Sequence, residues 1–193
     1  MILENEKIKQ ALEYIKEEDP ATTQDTLNMC QIPAPSYKEE KKAEYIRERF
    51  REIGLRDVRI DAVGNVLGIW PGTDEGPSVM LAAHTDTVFP EGTDLTIRKE
   101  GNRYYCPGIN DDTHAVAEMI AVAKAMIHAD LHTKGDLIFC ANVCEEGLGD
   151  LRGVKYLFGY DNKASEECPE VDAFVSIDNQ YTGGGIYTCL LYT

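Results

Sequence analysis

The chain has 193 residues, of which 43% are hydrophobic and 27% charged, a composition typical of a globular domain with enough apolar side chains for a core. Its formal net charge of -15 disfavours binding to nucleic acid or to an anionic membrane surface. The charged N-terminus lacks the apolar core of a signal peptide, and no stretch reaches the roughly 20 apolar residues of a membrane span, so we expect a cytoplasmic protein.

The first third of the chain is predicted to be helical on both sides of a loop. Apolar residues recur at helical spacing among charges over residues 2–16 and again over residues 38–53, which end before Gly54. Between these segments, residues 31–36 contain two prolines within three positions and are predicted to form a loop.

After Gly54 the pattern changes to that of an α/β protein. Strands are predicted over residues 57–61, 65–70, 78–83, 136–143, 173–177 and 185–191, with a hairpin over 94–106 and helices over 113–128 and 151–158. Strands that alternate with helices of this length favour a three-layer α/β sandwich, in which a mostly parallel central sheet is covered on both faces. In such sheets, ligands bind beyond the carboxyl ends of the strands.

Acidic residues and a histidine follow three of the predicted buried strands. The residues in question are His84 and Asp86, then Glu145 and Glu146, and finally Asp178. A fourth segment places Asp111 and Asp112 at the start of the long helix. Several carboxylates that share one sheet edge cannot all stay ionised unless a cation neutralises them. Taken singly, each element has an ordinary structural explanation, such as a turn or a helix N-cap, so the joint occurrence is what predicts a metal site.

The three motifs resemble those of a known superfamily. Residues 84–88 (HTDTV), 107–112 (PGINDD) and 142–147 (NVCEEG) match the H-x-D, G-x-x-D-D and E-E-G segments of the di-zinc amidohydrolases that include peptidase T, carboxypeptidase G and aminoacylase. The order and spacing of the motifs also fit, and residues 32–36 and 62–66 resemble segments that precede the first ligand. The resemblance covers nearly the whole chain.

The resemblance implies a role for each matched residue. His84 and Asp178 would hold one zinc ion, Glu146 would hold the other, and Asp111 would bridge the two. Asp86 would accept the second ring N–H of His84 and so fix its tautomer, which is the usual support for a metal-binding histidine. Glu145 would be the general base.

These implied roles define a reaction. Two zinc ions would generate a bound hydroxide near neutral pH, and Glu145 would carry a proton from it to the leaving amine. The substrate would be a small peptide, with an N-acyl amino acid as the alternative, since the superfamily contains both peptidases and deacylases. The residues at positions 84–88 and 108–112 resemble those of the peptidase T-like branch of the superfamily, which favours a peptidase.

The sequence departs from the family pattern in ways that bear on function. Many members have a lysine and small residues where this chain has Thr113 and His114, which leaves the role of His114 open; a helix-surface position is the simplest interpretation. The family's second metal-binding histidine and its lid domain, through which a homodimer could form, are not found in residues 1–193. We therefore expect residues 1–193 to be the N-terminal part of a zinc-peptidase-like catalytic domain, holding about one zinc ion weakly.

Other functions fit the sequence less well. Residues 147–153 suggest a nucleotide-binding loop, but the spacing differs from G-x-G-x-x-G and two glutamates precede it. No G-x-S-x-G motif of a serine hydrolase is present. A non-catalytic, metal-binding relic stays a further alternative. The six cysteines form no C-x-x-C pair and are predicted to be reduced, with Cys144 a small packing residue rather than a nucleophile.

Overall fold

A β-sheet with helices on both faces organises the chain, which a computed structural model describes over residues 2–159 and 165–178. The helices are α1 (Glu6–Glu17), α2 (Asp19–Cys30), α3 (Glu40–Glu52), α4 (His114–His128) and α5 (Arg152–Phe158). The strands are β1 (Arg56–Ile60), β2 (Val66–Trp70), β3 (Val79–His84), β4 (Arg98–Glu100), β5 (Arg103–Tyr105), β6 (Leu137–Asn142) and β7 (Ala173–Ser176). None of the described helices combines the length and the apolar character needed to cross a membrane.

Most predicted elements are found. The five strands of the main sheet end within one residue of their predicted limits, and β4 pairs with β5 as a hairpin in which Glu100 faces Arg103. Helix α2 was not predicted, because it has no apolar stripe and begins with Pro20 in its first turn. The predicted strand over residues 185–191 lies outside the described residues.

The main sheet has the strand order β1-β2-β6-β3-β7. Strands β6, β3 and β7 are parallel, whereas β1 pairs with β2 and β2 with β6 in the antiparallel sense. The sheet is therefore mixed: the predicted parallel strands form one side, and the antiparallel strands β1 and β2 form the other. The antiparallel pairing of β1 with β2 has a simple cause: the short connection between them can only join neighbouring strands as a hairpin.

Apolar side chains cover both faces of the sheet. On one face, Phe139 and Ala83 pack with the buried faces of α3 and α4, including Phe50 and Met119. On the other face, Met80, Ile138 and Cys140 pack against Leu157 of α5. Three layers result, as predicted from the alternation of strands and helices.

The parallel strands bring the predicted site residues to one edge. His84, the last residue of β3, is in register with Asn142, the last residue of β6, and Ala82 is in register with Ser176, the last residue of β7. The segments that follow these strands therefore leave the sheet side by side.

Candidate metal centre and catalytic site

An imidazole and four carboxylates meet at the carboxyl ends of β3, β6 and β7. We call them the rim cluster, which consists of His84, Asp111, Glu145, Glu146 and Asp178. The donor atoms of His84, Asp111 and Asp178 all lie within 4.8 Å of one another, and so do those of His84, Glu145 and Glu146. The sequence-predicted residues thus converge, with His84 common to both groups.

His84 is held from both sides of its ring and through its backbone. The Nε2 atom lies 3.0 Å from Oδ1 of Asp111, and Nδ1 lies 3.1 Å from the backbone oxygen of Asp86 and 3.5 Å from its Oδ1 atom. The backbone N–H of His84 donates to Asp112 over 3.0 Å. Burial lowers the pKa of His84, but the carboxylates of Asp86, Asp112 and Glu145 outweigh it and raise this pKa to about 9. The ring position is therefore fixed.

Asp86 supports the backbone of residues 145–146 as well as the histidine. Its fully buried carboxylate accepts the backbone N–H of Glu145 at Oδ1 over 2.8 Å and that of Glu146 at Oδ2 over 3.1 Å. Ser36 donates its hydroxyl to the same Oδ2 over 2.6 Å. Burial raises the pKa of Asp86, but the hydrogen bonds from His84, Ser36 and the two amides outweigh it and lower this pKa. Asp86 is thus a fixed negative charge behind the rim cluster.

The outer carboxylates of the rim cluster have raised pKa values, in contrast to Asp86. Burial raises the pKa of Glu145, Glu146 and Asp178, and neighbouring carboxylates raise all three further, although His84 partly opposes this. Each of these groups would be stabilised by a nearby cation.

The donor set fits a divalent metal ion. One imidazole nitrogen and several carboxylate oxygens within reach of one point are ligands that zinc and other first-row divalent ions accept. The distances do not separate Glu145 from Glu146, because both side chains approach His84. Their different roles therefore rest on the motif and not on the geometry.

The other histidines are engaged elsewhere. The half-exposed ring of His114 contacts Oγ1 of Thr26 over 3.1 Å and lies 3.4 Å from Oε1 of Glu118. His128 stacks on Tyr14, and His132 stacks on Trp70. In the described part of the chain, the groups able to hold a metal include none of these three.

Cys144 and the following glycines have packing roles. The Cys144 side chain is buried, and burial with the bond to Glu39 raises the pKa of its thiol to about 11, which disfavours a nucleophilic thiolate. A Cβ atom at Gly149 would lie 2.7 Å from the Cys144 backbone, and one at Gly153 would lie 2.2 Å from Oδ1 of Asn65. Close backbone packing thus accounts for both glycines without a bound phosphate.

Several residues of the site were not predicted as such. Asp112 is completely buried and bonds to the His84 backbone instead of capping α4. Glu39 and Lys42, at the start of α3, are also buried beside the site segments. Only the adjacency of Asp112 to Asp111 gave a signal in the sequence, since Glu39 and Lys42 lie in a charged stretch typical of a helix surface.

Comparison with known proteins assigns the family. Residues 80–186 match the sequence profile of peptidase family M20/M25/M40. The chain is 36% identical over 120 residues to a protein of Pyrococcus abyssi named as a LysW-lysine/LysW-ornithine hydrolase, a match that spans 62% of this chain and 32% of that protein. It is 29% identical over 185 residues to the succinyl-diaminopimelate desuccinylase of Corynebacterium glutamicum, spanning 94% of this chain and 46% of the desuccinylase.

Solved structures show the same fold. The dipeptidase Dug1p of Saccharomyces cerevisiae superimposes with a TM-score of 0.67 at 20% identity, covering 89% of this chain and 41% of Dug1p. A dinuclear metal-binding peptidase of family M20 from Bacillus subtilis superimposes with a TM-score of 0.58 at 15% identity, covering 86% of this chain and 44% of that one. The chain spans less than half the length of these relatives.

The profile match and the rim cluster agree on the same segments. The chain belongs to peptidase family M20/M25/M40, and its relatives are hydrolases. The resemblance drawn from the three motifs is thereby confirmed, as is the α/β fold.

Proposed function

We propose that this chain carries the metal-binding and proton-transfer residues of an enzyme that hydrolyses amide bonds, with short peptides as its substrates. The observation that carries the proposal is the convergence of one imidazole and four carboxylates at the edge of the parallel strands. Residues 1–193 would be the N-terminal part of the catalytic domain, and further ligands and a lid would come from the rest of a longer parent protein.

His84 and Asp178 would hold one metal ion, Glu146 the second, and Asp111 would bridge them. The fit of Asp111 and Asp178 to a common point with Nε2 of His84 supports this division. The ions, with zinc the expected metal, would polarise the scissile carbonyl and make a water molecule more acidic. Asp86 would keep His84 and the backbone of residues 145–146 in place.

Glu145 would move the proton. It is partly buried, and its carboxylate lies within 4.8 Å of the donor atoms of His84 and Glu146, so it would reach a water molecule held beside them. One carboxylate oxygen would take a proton from the attacking water, and the protonated acid would then give it to the leaving amine nitrogen. No covalent intermediate with the enzyme is required.

A deacylase acting on N-acyl amino acids is the second candidate. The curated relatives named above are a LysW-lysine/LysW-ornithine hydrolase and a succinyl-diaminopimelate desuccinylase, and the second name describes removal of a succinyl group. The structural neighbour Dug1p is a dipeptidase and favours the first candidate. A homodimer formed through a lid stays a proposal for the parent protein.

The roles of Glu145 and Glu146 can be separated by measuring metal content and turnover together. In the complete parent protein, Glu145→Ala should retain metal and lose about 100- to 10,000-fold in kcat. Glu146→Ala should lose metal. The reverse pattern would exchange the two roles. A panel of dipeptides, tripeptides and N-succinyl amino acids would then distinguish the two substrate classes.

A further inference from the structure

The start of α3 contains two charged side chains that are buried in the protein. Glu39, which directly precedes the helix, is 5% exposed, and Lys42 is 1% exposed. A buried lysine or glutamate is rare, because the loss of hydration must be offset by bonds to other groups. The partners of these two residues are therefore informative.

Lys42 joins two segments of the candidate site. Its Nζ atom donates to the backbone oxygen of Thr85 over 3.1 Å and to Oγ1 of Thr113 over 3.2 Å. Thr85 lies between His84 and Asp86, and Thr113 ends the turn Ile109–Thr113 that precedes α4. One ammonium group thus connects the segment after β3 to the turn that contains the proposed bridging aspartate.

Glu39 holds the third segment. Its Oε1 atom accepts the backbone N–H of Cys144 over 3.0 Å and the thiol of the same residue over 3.2 Å. Cys144 has a φ angle of +53°, a left-handed conformation that non-glycine residues seldom adopt, and it directly precedes Glu145. The carboxylate does not cap its own helix, so its hydrogen bonds serve the Cys144 backbone.

We propose that Glu39 and Lys42 are positioning residues. They fix three segments of the site relative to one another: the residues after β3, the turn Ile109–Thr113 and the residues after β6. The inference rests on the proposed metal-dependent function, since it assigns the two residues to the support of that site. Burial lowers the pKa of Lys42 to about 8, and the negative charges of Asp86 and Asp112 oppose this shift and favour the protonated ammonium. Such supporting contacts set the geometry that a metal site needs.

Three variants of the chain test the proposal, with one matched control. Glu39→Leu removes both acceptors, Glu39→Gln keeps a neutral acceptor for the Cys144 N–H, and Lys42→Met removes the ammonium while preserving length. The control is Asp25→Leu, because Asp25 of α2 is also buried and pairs over 2.9 Å with Arg49 of α3, the helix that contains Lys42. Neither Asp25 nor Arg49 is among the partners of the Glu39 carboxylate and the Lys42 ammonium described above.

The first measurement is hydrogen exchange of the metal-free chain, followed by mass spectrometry. Glu39→Leu should speed exchange at the Cys144 amide by about 10-fold or more, and Glu39→Gln should largely restore protection. Lys42→Met should speed exchange at Thr113. Asp25→Leu should change neither position. If Glu39→Leu does not fold, Glu39→Ala, which admits water beside Cys144, takes its place.

The second measurement uses Co²⁺ as the probe metal. The affinity for Co²⁺ should fall by about 10- to 100-fold in Glu39→Leu and Lys42→Met, and the visible absorption spectrum of the bound ion should change. Spectra identical to that of the wild type, or the same change in Asp25→Leu, would overturn the proposal. If the wild-type chain binds no Co²⁺, the proposed function fails, and the exchange data still decide whether Glu39 and Lys42 hold these segments.

Discussion

Two polar regions lie next to each other at the carboxyl end of β6, and they are organised in opposite ways. In the turn between β1 and β2, Asp61 and Asn65 form a closed network: Oδ1 of Asp61 accepts three backbone N–H groups, and its Oδ2 accepts the amide of Asn65 over 2.6 Å. Asn65 also accepts the N–H of Val143 over 3.0 Å and donates to the oxygen of Gly153 over 3.0 Å. Beyond Val143, the rim cluster instead brings together like charges.

The difference separates a structural role from a functional one. The polar side-chain atoms of Asp61 and Asn65 find their partners within the chain, so this network holds the β1–β2 turn against β6 without a ligand. In the rim cluster, incomplete hydration and neighbouring acids raise the pKa values of the partly buried Glu145 and Glu146 and of the exposed Asp178. Repulsion between these carboxylates lowers the stability of the fold, and a bound cation would remove that loss of stability.

The largest effect on stability is expected in the closed network. Asn65→Leu keeps the volume but leaves the Val143 N–H and one Asp61 oxygen without the bonds that Asn65 makes to them. Unpaired buried polar groups cost about 1 to 3 kcal/mol each, so the free energy of unfolding should fall by about 2 to 5 kcal/mol. Urea denaturation measures this loss. A folded Asn65→Leu protein with much weakened zinc affinity would show that the two regions are not independent.

A smaller effect, on metal affinity rather than stability, is expected at Asp86. Asp86→Asn removes the charge that supports His84 and weakens the bonds to the amides of residues 145 and 146, so zinc affinity should fall by about 10- to 100-fold. Asp61→Asn is the matched control, because Asp61 is also a buried aspartate that accepts several backbone N–H groups. Calorimetric titration should show that Asp61→Asn binds zinc like the wild type. Equal losses in the two variants would remove the special role of Asp86.

The smallest effect is a gain in stability. Glu146→Gln removes one of the like charges, so the metal-free chain, kept with a chelator, should gain about 0.5 kcal/mol or less in the free energy of unfolding at neutral pH, because solvent screens this partly exposed group. A carboxyl group with a raised folded-state pKa destabilises the fold when ionised. The advantage of Glu146→Gln should therefore shrink as the pH falls through that raised pKa, because protonated Glu146 is neutral too. A gain that persists at acidic pH would have another cause.

The strands and the residues that follow them could be predicted from the sequence, whereas the buried side chains that hold those residues in place could not. Apolar runs that end in His84, Glu145 or Asp178 carry both the strand signal and the site signal, so local pattern was sufficient there. The assignment of metal and catalytic roles to these residues stays a prediction.

The supporting residues could not be predicted from local pattern. Lys42 lies in a run of charged residues that reads as a solvated helix face, yet the packing of α3 against the sheet buries it beside Thr85. Helix α2 was not predicted for the same reason, and the antiparallel pairing of β2 with β6 joins strands far apart in the chain, which local pattern does not specify.

An equilibrium zinc titration of the purified chain, compared with His84→Ala, tests the central claim most directly, because His84 is common to both groups of candidate ligands. We predict weak, saturable binding of about one ion per chain and its loss in His84→Ala, since the protein offers three ligands at one position and fewer at the other. The absence of saturable binding, or binding that His84→Ala leaves unchanged, would contradict the assignment of the rim cluster as a metal site.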